Sequence, residues 1–459
     1  MITYSIIQKS QFEGALRIDA EFYDPYYFDL EKKLKRKKWD YLGNLIVFNR
    51  RGIQPKYSDT PTKYRAVVSQ NILEDFLDVN NLPFIDEDFF NSKQAQAVKI
   101  KPFDILIYTT GANIGRTNIF YPKTIEAIAS NHVNIIRVDP SKINQLYLGV
   151  FLQSKIGRDW TDRWASGSDQ EEIYPEDFEK FPVLIADDNV QNEVANLVLK
   201  SFEFIESSNR FYSQAENLLL EELGLKDFKI EDDLFYVVNL SEIKSAHRAD
   251  AEYFQPKYEK LISKIKKYGA EPLLRAVENI PARFNPKSQS AKIFRYVELS
   301  NITSSIGTID GFLEVSGEEA PSRAKRILKA NDVIISSVEG SLEKVALVGK
   351  DQEGYLASNG FFQFRSKNIL PEVLLVLAKS IIFQMQLEKQ CAGTILTAVP
   401  KEAIQNLLIP ILPKPTQQKI ADLVQQSHEA RKKAKQLLEE AKRQVEKLIN
   451  PSLTNFEVR

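Results

Sequence analysis

Apolar residues recur at helical spacing through two long stretches, 189–223 and 416–449, neither of which contains a Gly or a Pro. In the first the apolar positions are Val194, Leu197, Val198, Phe202, Ile205, Leu218 and Leu219. In the second they are Ile420, Leu423, Val424, Ala434, Leu437, Leu438, Ala441, Val445 and Leu448. Such spacing gives each stretch one apolar stripe, which predicts two helices of about 50 Å at 1.5 Å per residue. Two single-striped helices of this length pack as a coiled-coil-like pair, unless each stripe lies only on its own module. Gly224 follows the first stretch where a C-terminal cap places glycine. Elsewhere the pattern is shorter: FDILIYTT (103–110) and NDVIISSV (331–338) are β-branched and aromatic runs bounded by turn residues, and they predict strands.

The two strand runs belong to a long internal repeat. Arg17-Ile18-Asp19-Ala20-Glu21-Phe22-Tyr23-Asp24-Pro25 recurs as Arg248-Ala249-Asp250-Ala251-Glu252-Tyr253-Phe254-Gln255-Pro256, an offset of 231 (248 minus 17). Downstream the offset slips to 228, where Asp104 meets Asp332 and Ala129-Ser130-Asn131 meets Ala357-Ser358-Asn359 (332 minus 104). It then slips to 226, where Ser166-Gly167-Ser168 meets Ala392-Gly393-Thr394 and Gln191-Asn192-Glu193-Val194-Ala195 meets Gln417-Gln418-Lys419-Ile420-Ala421 (392 minus 166). Collinear blocks over this length predict two halves of one architecture, each a sheet-containing mixed module followed by a long helix. The expected boundaries are 1–186 and 241–412 for the modules, with helical regions at 187–240 and 413–459.

Composition narrows the function classes. With 459 residues, 43% hydrophobic and 27% charged, the chain has the make-up of an ordinary globular protein of several domains. One cysteine, Cys391, excludes an intramolecular disulfide framework, and three scattered histidines leave no Cys/His zinc set, so a reducing cytoplasm is expected. The opening residues have no signal-peptide pattern, and no run of about 18 apolar residues suits a membrane. Lys and Arg number 61 against 62 Asp and Glu, a net charge of −1, so bulk charge points to no polyanion partner.

Catalytic signatures fail on residues that the chemistry requires. Asp24-Pro25-Tyr26-Tyr27 lacks the second proline of the Asp-Pro-Pro-Tyr loop of amino-methyltransferases, and suits the first turn of a helix. Gly111-Ala112-Asn113-Ile114-Gly115-Arg116-Thr117 is one residue short of a phosphate loop and has Arg in place of Lys, which makes it a turn between strands. Nucleotide-cofactor, nucleophile-elbow and zinc-hydrolase motifs are absent from the sequence. Local basic clusters are the remaining candidates for chemistry, since DNA contact needs cations at phosphate spacing. The first half has Arg50, Arg51, Lys56, Lys63, Arg65, Arg116, Arg158 and Arg163; the second has Arg283, Lys287, Lys292, Arg295, Arg323, Lys325, Arg326 and Lys344.

With its duplication and two long helices the sequence resembles the specificity subunits of type I restriction-modification systems. The resemblance rests on Cys391-Ala392-Gly393-Thr394 through Val399-Pro400, on Leu407-Leu408-Ile409-Pro410, and on the helix opening Gln417-Gln418-Lys419-Ile420-Ala421. The first half departs from it with an acidic loop, Ser168-Asp169-Gln170-Glu171-Glu172-Ile173-Tyr174. The fold implied is α+β: two similar mixed α/β target-recognition domains separated by two long helices packed as a coiled-coil-like pair. The resemblance further implies a non-catalytic, cytoplasmic phage-defence subunit whose two domains read a bipartite double-stranded DNA site. Its helices would dock two methyltransferase subunits, with motor-nuclease restriction subunits joining the complex. S-adenosylmethionine, ATP and Mg²⁺ would bind in those partners and none in this chain. Two other readings stay open: the recognition subunit of a different restriction or defence assembly, and a protein scaffold that never meets DNA.

Overall fold

The computed structural model describes residues 5–15, 17–167, 170–228, 235–393 and 397–450. The chain forms two compact units, one of Met1–Ile205 with Lys432–Arg459 and one of Glu206–Arg431. The fold is α+β, and its two long helices, Asp188–Glu222 and Lys414–Ile449, pack together, each giving one of its halves to each unit.

In the first unit a four-stranded antiparallel sheet runs in the order Ile46–Arg51, Val133–Val138, Ile105–Tyr108, Thr117–Ile119. The 103–110 run forms its third strand and is apolar without alternation because both faces are covered. Ile105 and Ile107 enter one core, with Tyr147 and Phe151 of the helix Gln145–Gln153. Leu106 enters another, with the parallel pair Tyr64–Val67 and Glu126–Ala129.

The second unit repeats the plan with Val277–Asn279, Phe361–Ser366, Asp332–Ser336 and Val345–Leu347. Val333 and Ile335 face the helical core while Ile334 faces the opposite one. Here the parallel pair, Ile293–Val297 with Leu356–Ser358, is widened on its flanks by Leu313–Ser316 and Ala324–Ile327. Each central strand is preceded by a non-glycine residue in the left-handed region, Phe103 at φ 70° and Asn331 at φ 69°. Asn tolerates this conformation better than Phe does, so the turn is inherited by position rather than by residue type.

The stripes of the long helices serve both the partner helix and the module. In the first unit Val194, Val198, Phe202 and Ile205 share a core with Ala434, Leu438, Ala441 and Val445, and with the module's Tyr147 and Phe181. Leu197 and Leu448 pack at its margin, and Leu437 is half-buried. In the second unit Tyr212, Ala215 and Leu219 meet Ile420 and Val424, with Leu218 and Leu423 at the margin. The pairing is antiparallel there: Ser208 Oγ donates to the Ser427 carbonyl and Ser427 Oγ to that of Ser208, both at 2.8 Å. Thr416 meets Glu222 at the other end of the pair. The first helix ends at Glu222, and Gly224 adopts φ +62° while Leu225 N–H returns to the Leu220 carbonyl and Gly224 N–H to that of Glu221, a Schellman C-terminal cap.

Candidate nucleic-acid interface

The repeated residues turn out to be clamps. Arg17 donates to both carboxylate oxygens of Asp19 (2.7 and 2.6 Å) and to the carbonyls of Trp164 and Ala165. Arg248 does the same with Asp250 (2.9 and 2.5 Å) and the Cys391 carbonyl. Each arginine thus closes the carbonyl end of a helix, Lys155–Trp164 or Ile381–Gln390, and its hydrogen bond holds the aspartate below the ordinary carboxylate range. Inside each sheet a second pair recurs: Arg137 on Asp104 (2.6 and 2.7 Å) and Arg365 on Asp332 (2.9 and 3.0 Å). Gln191 accepts from Asn144 N–H and donates to Ala186; Gln417 accepts from Leu370 N–H and donates to Leu412. The glutamine that opens each long helix therefore ties it to the module's last turn. After the helix ends, Ser166 bridges Glu172 and Ala392 bridges Ala398, with Gly167 and Gly393 at φ +132° and +134° as only glycine adopts readily. Ser168, Asp169 and Thr394 of these loops lie outside the described residues.

The basic candidates separate into three groups. Two are interior. Arg163 is 8% exposed, pairs with Glu31 at 3.0 Å and donates to the Phe22 carbonyl. Arg326 is 4% exposed and donates to the Ile280 carbonyl, and burial pushes its guanidinium down to about 10, still a cation at neutral pH. These two do not present a charge to a phosphate.

A second group is tethered. Arg51 pairs with Glu172 at 2.5 Å and donates to the Asn131 carbonyl and Thr110 Oγ1. Burial works against the charge on Glu172, but hydrogen bonds from Tyr174 and Arg51 outweigh it and hold the carboxyl below its ordinary value. The acidic loop thus supplies the counter-charge to Arg51. Arg116 and Arg158 share Glu74 at 3.2 and 3.3 Å. Arg65 donates to the Thr62 carbonyl and lies over the Phe84 ring. Lys344 donates to the Ile302 carbonyl. Arg295 pairs with Glu314 and lies over Phe312 and Tyr355.

The third group faces water. Lys56 with Asp86, Lys63 with Glu126 and Lys287 with Glu318 are exposed pairs of the kind worth about 0–1 kcal/mol, which a phosphate can displace. Arg50, Arg283, Lys292 and Arg323 are exposed and Lys325 half-buried, and none of them makes an ion pair among the described residues. Phe284 N–H donates to the Lys325 carbonyl and Asn359 N–H to that of Arg323, so one edge of the second module gathers Arg283, Arg323 and Lys325. Among the described residues no comparable cluster of unpaired candidates forms in the first unit, where Arg50 stands apart from the tethered Arg51.

Sequence reasoning missed a buried ionic contact. Asp75, 8% exposed, accepts from Lys435 Nζ and Lys442 Nζ, each at 3.1 Å. Burial opposes its charge, but Lys442 and then Lys435 outweigh it, and the carboxyl lies far below the ordinary range. No local signal marks these residues, since Asp75 and Lys442 are 367 positions apart.

Among the described residues no group of three or more His, Cys, Asp or Glu side chains forms a metal site, and no helix is long and apolar enough to cross a membrane. Comparison with solved structures finds an S subunit of a type I restriction-modification system from M. genitalium, 12% identical, covering 92% of this chain and 96% of that one with a TM-score of 0.37. It also finds the HsdS subunit from Thermoanaerobacter tengcongensis, 14% identical, covering 91% and 97% with a TM-score of 0.29. No curated protein matches the chain. Residues 284–443 match the sequence model of the type I restriction modification DNA specificity domain.

Proposed function

We propose that this chain is the sequence-reading subunit of a type I restriction-modification complex, with one recognition module at 1–186 and another at 241–412. The carrying observation is the repetition of one framework. The second unit has a counterpart in the first: Arg248–Asp250 repeats Arg17–Asp19, and within the matched residues 284–443 Asp332–Arg365 repeats Asp104–Arg137. Two like frameworks with unlike surfaces suit a target made of two unlike half-sites. The long helices, in the regions 187–240 and 413–459, act as a spacer of fixed length and as the docking element for two methyltransferase subunits. Restriction subunits join the same complex, and the whole works on DNA in the cytoplasm.

The chemistry assigned to this chain is recognition. The exposed cations Arg50, Lys56, Lys63, Arg283, Lys292 and Arg323, with the half-buried Lys325, neutralise phosphates, which positions the modules without reading sequence. S-adenosylmethionine, ATP and Mg²⁺ belong to the partners. A net charge of −1 suits a subunit whose partners supply much of the phosphate contact, so the isolated chain binds DNA weakly and with strong salt dependence.

The test is co-expression with a candidate type I methyltransferase subunit, followed by mapping of methylated adenines. A split motif of two unlike parts with a fixed gap, present only with this chain, is the expected result. Methylation independent of the chain, in a complex verified to have formed, refutes the reading.

A further inference from the structure

The buried contact at Asp75 is used by none of the foregoing, and its setting is more specific than core packing requires. Asp75 lies in a segment folded on itself: the 3-10 turn Ser69–Asn71 leads into it, Asp78 N–H donates to the Asn71 carbonyl, and Asn71 donates to the carbonyls of Asp78 and Asn81. Gln153 Nε2 bonds the Asp75 carbonyl, which ties the segment to the helix Gln145–Gln153, and the neighbouring Glu74 holds Arg116 and Arg158. From this rigid base the carboxylate meets Lys435 and Lys442, seven residues or about two helical turns apart. One acceptor held from two turns resists sliding along the helix in both directions. Lys442 is kept in place by Glu439 at 2.9 Å.

The second unit presents an aspartate from the corresponding place. Its 3-10 turn Leu299–Asn301 leads to a segment in which Asp310 accepts from Thr303 Oγ1 and pairs with Arg431 of the second long helix at 2.9 Å. His428 Nε2, one turn earlier, donates to the Ile306 carbonyl. The same loop in each module thus offers an acid to a base on the same helix, although the residues are not matched in the repeat. A contact needed only for burial has no reason to be ionic, because an apolar replacement of similar volume is often as stable or more so. A contact that must fix one register has that reason.

We propose that Asp75 with Lys435 and Lys442, and Asp310 with Arg431, are positioning residues that fix where each recognition module sits along the spacer helix, and so hold the gap between half-sites to one length. This rests on the proposed function.

The test uses the full chain in complex with its methyltransferase, comparing wild type, D75N, D310N, and the charge-free triple variant D75N/K435M/K442M. The triple variant leaves no buried ion without a partner, so it keeps the fold if D75N does not, and thermal unfolding checks this. The expected result is unchanged half-sites with relaxed spacing. Methylation at targets whose gap is one base pair longer or shorter rises about tenfold relative to the native gap, a loss of about 1.4 kcal/mol in discrimination. Hydrogen exchange at 71–79 also becomes faster in D75N and in the triple variant. A split motif whose gap stays as sharp in the folded variants as in wild type overturns the inference alone. A wild-type complex with no split motif overturns the reading beneath it, and the inference with it.

Discussion

The two units share a frame and differ in what they expose. Residues that match across the repeat have interior duties: Arg17 and Arg248 close helix ends, Asp104 and Asp332 anchor an arginine inside the sheet, and Gln191 and Gln417 fasten the long helices. Where the repeat breaks down, the surfaces diverge. The first unit sets Glu172 against Arg51 and Glu74 against Arg116 and Arg158, whereas the second leaves Arg283, Arg323 and Lys325 without an ion pair among the described residues, along an edge widened by extra strands. Internal repetition in this chain therefore marks scaffold, and under the proposed function the parts that distinguish one target from another are to be sought where the halves disagree.

The largest effect that can break this comparison lies in the sheet pairs. Replacing Arg137 with Met strands Asp104, and replacing Arg365 with Met strands Asp332; each change should cost about 3–5 kcal/mol in denaturant unfolding. A small loss in one unit and a large one in the other would show that the frames are not equivalent. Next comes the spacer. Removing matched two-turn segments from both long helices should shorten the gap in the methylated motif and leave both half-sites as they are. Altered half-sites in such a variant contradict a rigid spacer.

Smaller effects sharpen the contrast. Ser208→Ala and Ser427→Ala each remove one hydrogen bond of the reciprocal pair, at about 1 kcal/mol apiece by thermal unfolding. Burial holds the imidazole of His428 below its ordinary value of about 6.5. Protons therefore bind the unfolded chain more readily, and the second unit should lose stability as pH falls below that value. His428→Gln should flatten this slope in a pH series of melts. Smallest of all, Arg283→Ala should lower the salt slope of DNA binding by the complex by about one, while Arg163→Ala should act through folding stability instead.

Much of the frame was legible from sequence. The stripes gave the long helices to within two residues at each end, because apolar spacing is a local property and Gly224 and Pro451 lie just past their ends. The runs at 103–110 and 331–338 marked the central strands because a sheet covered on both faces demands continuous apolar character. The charged surface was less legible, since partners come from distant segments, as with Arg116 and Glu74. Two arginines did carry an unused signal. Arg326 alternates inward with Ala324 along one strand and with Leu328 just past its end, and Arg163 lies three residues from the buried Trp160 on the inward face of a helix. The Asp75 contact had no such signal, being neither local nor repeated.

The central claim is that one frame is used twice to read two unlike half-sites. It is tested most directly by mapping methylated adenines in the complex after Arg283, Arg323 and Lys325 of the second module are replaced together by Gln. The account predicts weaker methylation overall, with any change of motif confined to one half-site and the gap unchanged. A change in both half-sites, or in the gap, would contradict it.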